Sequence, residues 1–387
     1  MKLTRLFSEF FNSEKTGGII LIACTVVSMA LANSGFQNHY TGFWETTFND
    51  HSLTHWINDG LMSIFFLLIG LELEREIYYG ELSDLKTASF PIIAAIGGVL
   101  VPAGIYLLIN QGTAYQDGAG IPMATDIAFS IGMLALLGSR VPVNLKVFIT
   151  ALAVIDDLCA IIVIAIFYSS GLSLLYMGIA AAIMLLMFVL NRLKVHHLWP
   201  YLVLGVGLWY CMLHSGIHAT LAGVLVAFVI PFGDGGEKSP SYILQNFLHK
   251  PVAFIIIPLF ALANTAIHFE PGWWAGLQSS GSIGIILGLV LGKPIGILLF
   301  SFCAVMAGFS KLPSGLQWKH IAGVGMLAGI GFTMSIFITM LAFDNPLHIA
   351  SAKIAIIAAS LIAAIGGLLV LKIILKKIPG EVTTEEA

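Results

Sequence analysis

Residues 147–168 read V-F-I-T-A-L-A-V-I-D-D-L-C-A-I-I-V-I-A-I-F-Y, an apolar run long enough to cross a bilayer as a helix, with two adjacent carboxylates near its centre. Ionised groups at membrane depth are costly, so charge placed there is a functional candidate by default. Apolar runs of helix-forming length return at 19–32, 64–71 and 354–375. The 387-residue chain is 58% hydrophobic and only 10% charged, whereas soluble domains carry about 25% charged residues. Such a composition cannot cover a water-facing surface. It predicts an all-α integral membrane protein, one polytopic domain over 1–387 with no soluble domain attached.

Apolar runs and polar breaks divide the chain into about twelve spans, near 17–34, 57–80, 90–110, 120–138, 144–169, 173–192, 198–214, 217–232, 250–268, 282–306, 320–343 and 350–375. The first run ends Ala30-Leu31-Ala32, resembling a signal-peptide cleavage site. Glu9 and Glu14 interrupt the long basic stretch before it, so a retained first helix is expected.

The basic residues test this layout independently. Lys and Arg gather in cytoplasmic loops. With a cytoplasmic N-terminus, the inside segments hold Lys2, Arg5, Lys15, Arg75, Lys86, Arg140, Lys146, Arg192, Lys194, Lys238, Lys250, Lys311, Lys319, Lys372, Lys376 and Lys377. Outside connections near 36–56, 111–119, 170–172, 269–281 and 344–349 hold none. Only Lys293, mid-span, and Lys353, just inside the last span, fall elsewhere. Both termini are therefore expected in the cytoplasm.

A weak internal repeat is also legible. Span 3 contains Pro102-Ala103-Gly104-Ile105 and span 10 contains Pro294-Ile295-Gly296-Ile297. The following span in each half carries a glycine-rich interruption with a threonine, at 118–126 and 323–333. Spans 3–5 and 10–12 would then be inverted repeats, with spans 4 and 11 discontinuous and crossing near mid-membrane. Paired interrupted spans point to a transporter's binding site.

The ionisable residues within spans are Asp59, Asp126, Asp156, Asp157, His218 and Lys293. Successive helical side chains point about 100° apart, so Asp156 and Asp157 cannot share one direction. One can face a water-filled cavity while the other reaches for a cation. Were both ionised ~6 Å apart at an effective dielectric near 20, repulsion would be roughly 3 kcal/mol. A proton or a bound cation relieves it. Hard monovalent cations take oxygen ligands, so the two would compete for one site. Lys293, in Gly292-Lys-Pro294, needs a carboxylate partner, Asp156 or alternatively Asp157.

Thr125 and Asp126 follow Pro122 in span 4, and Thr333 lies in span 11. Broken helices leave backbone groups without partners at membrane depth and bring like dipole ends together. A carboxylate near the N-terminal ends and a lysine near the C-terminal ends would compensate them, a structural role open to Asp126 and Lys293 beside any ligand role. Glu72, Glu74, Arg75 and Glu76 end span 2, followed by Glu81 and Asp84, as either a solvated helix end or a cation-attracting, pH-sensing funnel. His214 and His218, four apart, have no cysteine or carboxylate beside them and make a poor metal site. A net charge of −3 gives nucleic acid no purchase, and the four cysteines are scattered without a C-x-x-C pair.

Together, G-L-E-L-E-R-E at 70–76, A-T-D-I-A-F at 124–129, A-V-I-D-D-L at 153–158, H-A-T-L-A-G at 218–223, G-K-P-I-G at 292–296 and G-I-G-F-T-M-S-I-F at 329–337 resemble the NhaA family of Na⁺/H⁺ antiporters, in that family's order and over nearly the whole chain. The family is itself a standing example of inverted repeats with broken helices, so repeat and resemblance form one argument. The resemblance implies an electrogenic antiporter of the bacterial inner membrane. It would expel Na⁺ or Li⁺ and admit more than one proton per cation, serving pH and sodium homeostasis without a cofactor. Asp156 and Asp157 would form the cation/proton site, Asp157 as principal ligand. Thr125, Asp126, Lys293 and Thr333 would belong to the crossing of the broken spans. Glu72, Glu76, His218 and His249 would belong to the pH response. Where the family often has an acidic residue followed by histidine at the start of span 9, this chain has Gln245 and Asn246, leaving His249. The outside segment 35–55 offers an edge contact for a homodimer.

Two other classes use buried acids. A cation channel would need neither interrupted spans in both halves nor a buried lysine. An intramembrane aspartyl protease would pair Asp126 with Asp157, yet neither sits in a G-x-G-D motif, and no H-E-x-x-H occurs.

Overall fold

The computed structural model describes residues 5–48, 50–80, 82–169, 171–269 and 272–375. Lys2, Lys376 and Lys377, used in the charge argument, and Glu81, in the acidic stretch after span 2, lie outside the described residues. The chain is a helical bundle. Its elements are α1 (Arg5–Ala32), α2 (Gln37–Glu45), β1 (Thr47–Phe48), β2 (His51–Ser52), α3 (Leu53–Tyr79), α4 (Leu85–Asn110), a 3-10 segment (Gln116–Met123), α5 (Ile127–Ala135), α6 (Val143–Phe167), α7 (Leu174–Arg192), α8 (Leu198–Leu213), α9 (Leu221–Ala227), α10 (Pro240–Asn264), α11 (Trp273–Leu277), α12 (Ser280–Met306), α13 (Trp318–Ala328), α14 (Phe332–Ala342) and α15 (Pro346–Ile374).

Among the described residues, eight helices are long and apolar enough to cross a membrane, or ten if each bent pair counts once. The bent pairs are Thr16–Ala32 with α2, at 115°, and α13 with α14, at 48°. The outward surface is apolar, the reverse of a soluble protein: only 6% of α7's apolar window is buried. Leu108, Leu174 and Ile373 stand similarly exposed. These faces suit hydrocarbon.

Three regions depart from the sequence reading. The expected span at 217–232 holds only α9, seven residues long. Turns with Gly216 at φ +84° delay its start, and Pro231 follows its frayed end, where the residue before a proline leaves the helical region. The connection at 36–56 is ordered as α2 and a small hairpin, with Thr47 opposite Ser52 and Phe48 opposite His51. Wider π turns occur at Trp56–Leu61, Val252–Ile256 and Gly288–Gly292. The last two are centred four residues before Pro258 and Pro294, where a proline ring would otherwise meet the preceding turn's carbonyl.

Packing positions the centre of the molecule. α4 and α12 run antiparallel: Gly97 meets Gly296, Pro102 lies against Gly292, and Tyr106 lies against Gly284. At the Gly97–Gly296 crossing the backbones approach so closely that a side chain on either would strike the other helix. α1 packs into the bundle through Gly18, where an added methyl would stand 3.0 Å from the Ala128 carbonyl. α1 thus rests on α5 beside the functional candidates.

Candidate functional site

The chain is interrupted twice at the centre of the bundle, and the two interruptions bond to each other. Between the 3-10 segment and α5, Ala124 and Asp126 are extended. Between α13 and α14, the chain turns at Gly329–Gly331. The Asp126 backbone N–H donates to the Ile330 carbonyl at 2.7 Å, and the Thr125 hydroxyl donates to the Ala328 carbonyl at 2.8 Å. The Ser130 hydroxyl donates to the Leu327 carbonyl at 2.9 Å, and Ser335 returns the favour to the Ile121 carbonyl at 2.7 Å. Backbone groups that a break leaves exposed at membrane depth would each be costly. Here the partner break satisfies them.

Asp126 serves two helix starts at once. One carboxylate oxygen accepts the Phe129 N–H at 2.8 Å, capping α5. The other accepts the Thr333 N–H at 3.0 Å and the Thr333 hydroxyl, in the first turn of α14. The carboxylate therefore sits where two positive dipole ends converge.

Asp156 and Asp157 lie on α6, both fully buried. Lys293 follows the π turn that opens the second half of α12, and its ammonium meets Asp156 Oδ2 at 2.5 Å. It also donates to the Met123 carbonyl, at the C-terminal end of the 3-10 segment, where a cation offsets the dipole. Lys293 is among the largest fully buried side chains of the protein. Of the two partners open to Lys293 in the sequence, the structure brings it to Asp156.

Asp157 is different. Neither of its carboxylate oxygens has a protein hydrogen-bond partner, whereas Asp156 has Lys293 and lies beside Thr125. The electrostatic neighbours of Asp157 are Asp156, Asp126 and Lys293. An isolated buried carboxylate is very costly unless something neutralises it. A proton or a small cation can do so, and only one can occupy the same oxygen at once.

Of the pH candidates, Glu72 borders this cluster. Glu72 is buried in α3 with Oε1 3.4 Å from His249 Nδ1 on α10. A small cavity of about 20 Å³, room for roughly one water, lies between Glu72, Asp126 and Thr333. Glu76 folds back toward Gly80 at the end of α3. His218 places Nε2 2.8 Å from the Tyr168 carbonyl and faces Asp59, which in turn lies 3.3 Å from His55. The structure thus joins Thr125, Asp126, Asp156, Asp157, Lys293 and Thr333 in one region. His249 pairs with Glu72, while Glu76 and His218 stand elsewhere.

Several contributors escaped the sequence reading. The carbonyls of Met123, Ala328 and Ile330 cannot be seen in any residue pattern, since every residue has one. Asn58 and Asn264 form a buried amide pair, with Asn264 Nδ2 2.7 Å from Asn58 Oδ1. A signal for it existed: each is a lone amide within an apolar span. Among the described residues, no cluster of three His, Cys, Asp or Glu could hold a metal as a resident cofactor.

Buried carboxylates set against two mutually bonded helix breaks define a multi-pass membrane protein with an ionisable centre in its core. The chain belongs to the Na⁺/H⁺ antiporter 1 family, whose model matches residues 8–371. It is 62% identical over 375 residues to Na(+)/H(+) antiporter NhaA 1 of Flavobacterium johnsoniae, covering 97% of this chain and 98% of that protein. It is 57% identical to Na(+)/H(+) antiporter NhaA of Cytophaga hutchinsonii, covering 100% of both chains. The NhaA antiporter of Flavobacterium psychrophilum is 58% identical over 376 residues, covering 97% of this chain and 98% of that protein.

Proposed function

We propose that the protein is a secondary transporter, not an enzyme, exchanging Na⁺ for protons at Asp156 and Asp157. The observation that carries this reading is the asymmetry of the dyad. Asp156 has a fixed cation, whereas Asp157 is buried with both oxygens free of protein partners. Asp157 is the principal ligand, accepting Na⁺ (or Li⁺) when its proton leaves. The Asp156–Lys293 pair is the second titrating unit. Two protons per cation through these units make the exchange electrogenic.

Thr125, Asp126, Lys293 and Thr333 hold the crossing of two discontinuous spans near mid-membrane. Their role is supported by the bonds between the breaks and by the charges at converging dipole ends. Spans 3–5 and 10–12 are inverted repeats, a reading supported by the antiparallel packing of α4 on α12. Counting α8 and the short α9 region, the chain crosses a bacterial inner membrane about twelve times as one domain, with both termini cytoplasmic. Glu72, Glu76, His218 and His249 adjust the response to pH, in keeping with pH and sodium homeostasis. The ordered outer segment, with Phe36, Phe43 and Phe48 exposed, supports a homodimer contact there. No cofactor and no nucleic acid is required; Na⁺, Li⁺, protons and the lipid bilayer are the partners.

Reconstitution into proteoliposomes with ΔpH and membrane potential both monitored tests this reading. An imposed Na⁺ gradient should drive proton movement and leave a net charge imbalance. Na⁺ flux uncoupled from protons would instead make the protein a channel.

A further inference from the structure

A second cavity, of about 680 Å³, opens at the end of the bundle shared by the start of α4, the start of α6 and the residues after α12. Lys86, at the start of α4, and Lys311, after α12, both line it, and both are exposed. Ser310, 6% exposed, also lines the cavity, and its buried hydroxyl has no hydrogen-bond partner. Asn144 fixes the rim, donating to the Ser314 carbonyl at 2.8 Å. Among the described residues, no acidic side chain lines the cavity. The nearest in sequence, Asp84, caps α4 by accepting the Lys86 backbone N–H at 3.2 Å.

The cavity stands at the end of an apolar stripe. Leu291, Ile295, Leu299, Phe302 and Met306 recur at helical spacing along α12 and are each about half exposed or more, Met306 at 73%. Phe309 continues the stripe to the cavity wall. Two ammonium groups and a buried hydroxyl donor are the complement of a phosphate. A lipid-facing stripe leading away from them is the complement of acyl chains. We propose that this cavity binds the headgroup of an anionic phospholipid, its phosphate between Lys86 and Lys311 and its tails along α12. Basic pockets between spans recognise anionic headgroups by this chemistry, and the volume matches a small-ligand site.

Native mass spectrometry of the full purified chain tests the proposal, with phosphatidylglycerol, phosphatidylethanolamine and inorganic phosphate as probes. The wild type should retain one phosphatidylglycerol more tightly than phosphatidylethanolamine. Each of Lys86→Gln and Lys311→Gln should weaken that lipid about fivefold. Ser310→Leu, which puts a larger apolar side chain at a lining position, should remove it. Retention of phosphatidylglycerol by the double lysine variant at wild-type affinity would overturn the proposal. Displacement of the lipid by millimolar inorganic phosphate would overturn it too, showing a free-phosphate site. Na⁺/H⁺ exchange in zwitterionic vesicles should be unchanged in the variants and serves as the folding control. Lys311→Gln, in a surface loop, keeps the test available if the double variant folds poorly.

Discussion

Lys293 closes onto Asp156 at 2.5 Å, while Asp157, one residue further along the same helix, keeps two buried oxygens with no protein hydrogen-bond partner. Adjacent positions point about 100° apart, so one helix offers the lysine a single carboxylate and leaves the other without a protein partner. Two chemically identical residues therefore stand in different electrostatic states.

The first consequence is an unequal response to neutralisation. Asp157→Asn should abolish Na⁺-driven proton flux in proteoliposomes while the protein still inserts and folds. Asp156→Asn should be milder, because water can replace a secondary ligand. Wild-type exchange by Asp157→Asn would sink the assignment of the principal ligand.

Removing the lysine should act on stability. Lys293→Ala leaves Asp156 buried without its cation, and breaking such a pair costs roughly 3–5 kcal/mol. The melting temperature should fall, and Asp156→Asn in the same protein should recover part of the loss. Strictly additive losses in this double-mutant cycle would argue against an energetic pair.

The bond between Asp126 and Thr333 predicts coupling between the two breaks. Thr333→Val removes one hydroxyl donor to a charged acceptor and should cost about 1.5–3 kcal/mol. Asp126→Asn removes the acceptor charge at two helix starts and should cost more than Thr333→Val. Combined, the two should cost less than their sum, as measured by thermal unfolding in detergent. Full additivity would show that the contact carries no energy.

The last prediction concerns pH. A protonated dyad offers Na⁺ no charged ligand, so acid should weaken binding and alkali strengthen it. Apparent KM for Na⁺ should fall about tenfold per pH unit for each proton displaced, measured across roughly pH 6 to 9. A log–log slope nearer two than one would mean two protons leave per cation. Regulation through Glu72 and His249 would instead change the maximal rate at saturating Na⁺. The KM effect should dominate, since positions 245 and 246, in the first half of α10, hold Gln and Asn, which do not titrate. A pH-independent KM with a steep maximal rate would reverse that conclusion.

Much of this molecule follows from residues taken in order. Apolar run length, the placement of all basic residues but Lys293 and Lys353, and carboxylates inside an apolar helix are sums and periodicities along one chain. Because hydrocarbon excludes charge and unpaired backbone, such patterns dictate membrane helices and mark Asp156, Asp157, Asp126 and Lys293 as costly residues. They leave undecided what each costly residue touches. The choice of Asp156 over Asp157 by Lys293 joins residues 137 apart in sequence. It depends on the rotation of α6, on the π turn before Lys293, and on the glycine crossing that draws α12 against α4. The bonding of one helix break to the other depends equally on where two distant spans cross. Local patterns record the energetic cost of each group, whereas its relief is supplied by whichever distant segment the packing brings within about 3 Å, and only the tertiary structure decides that.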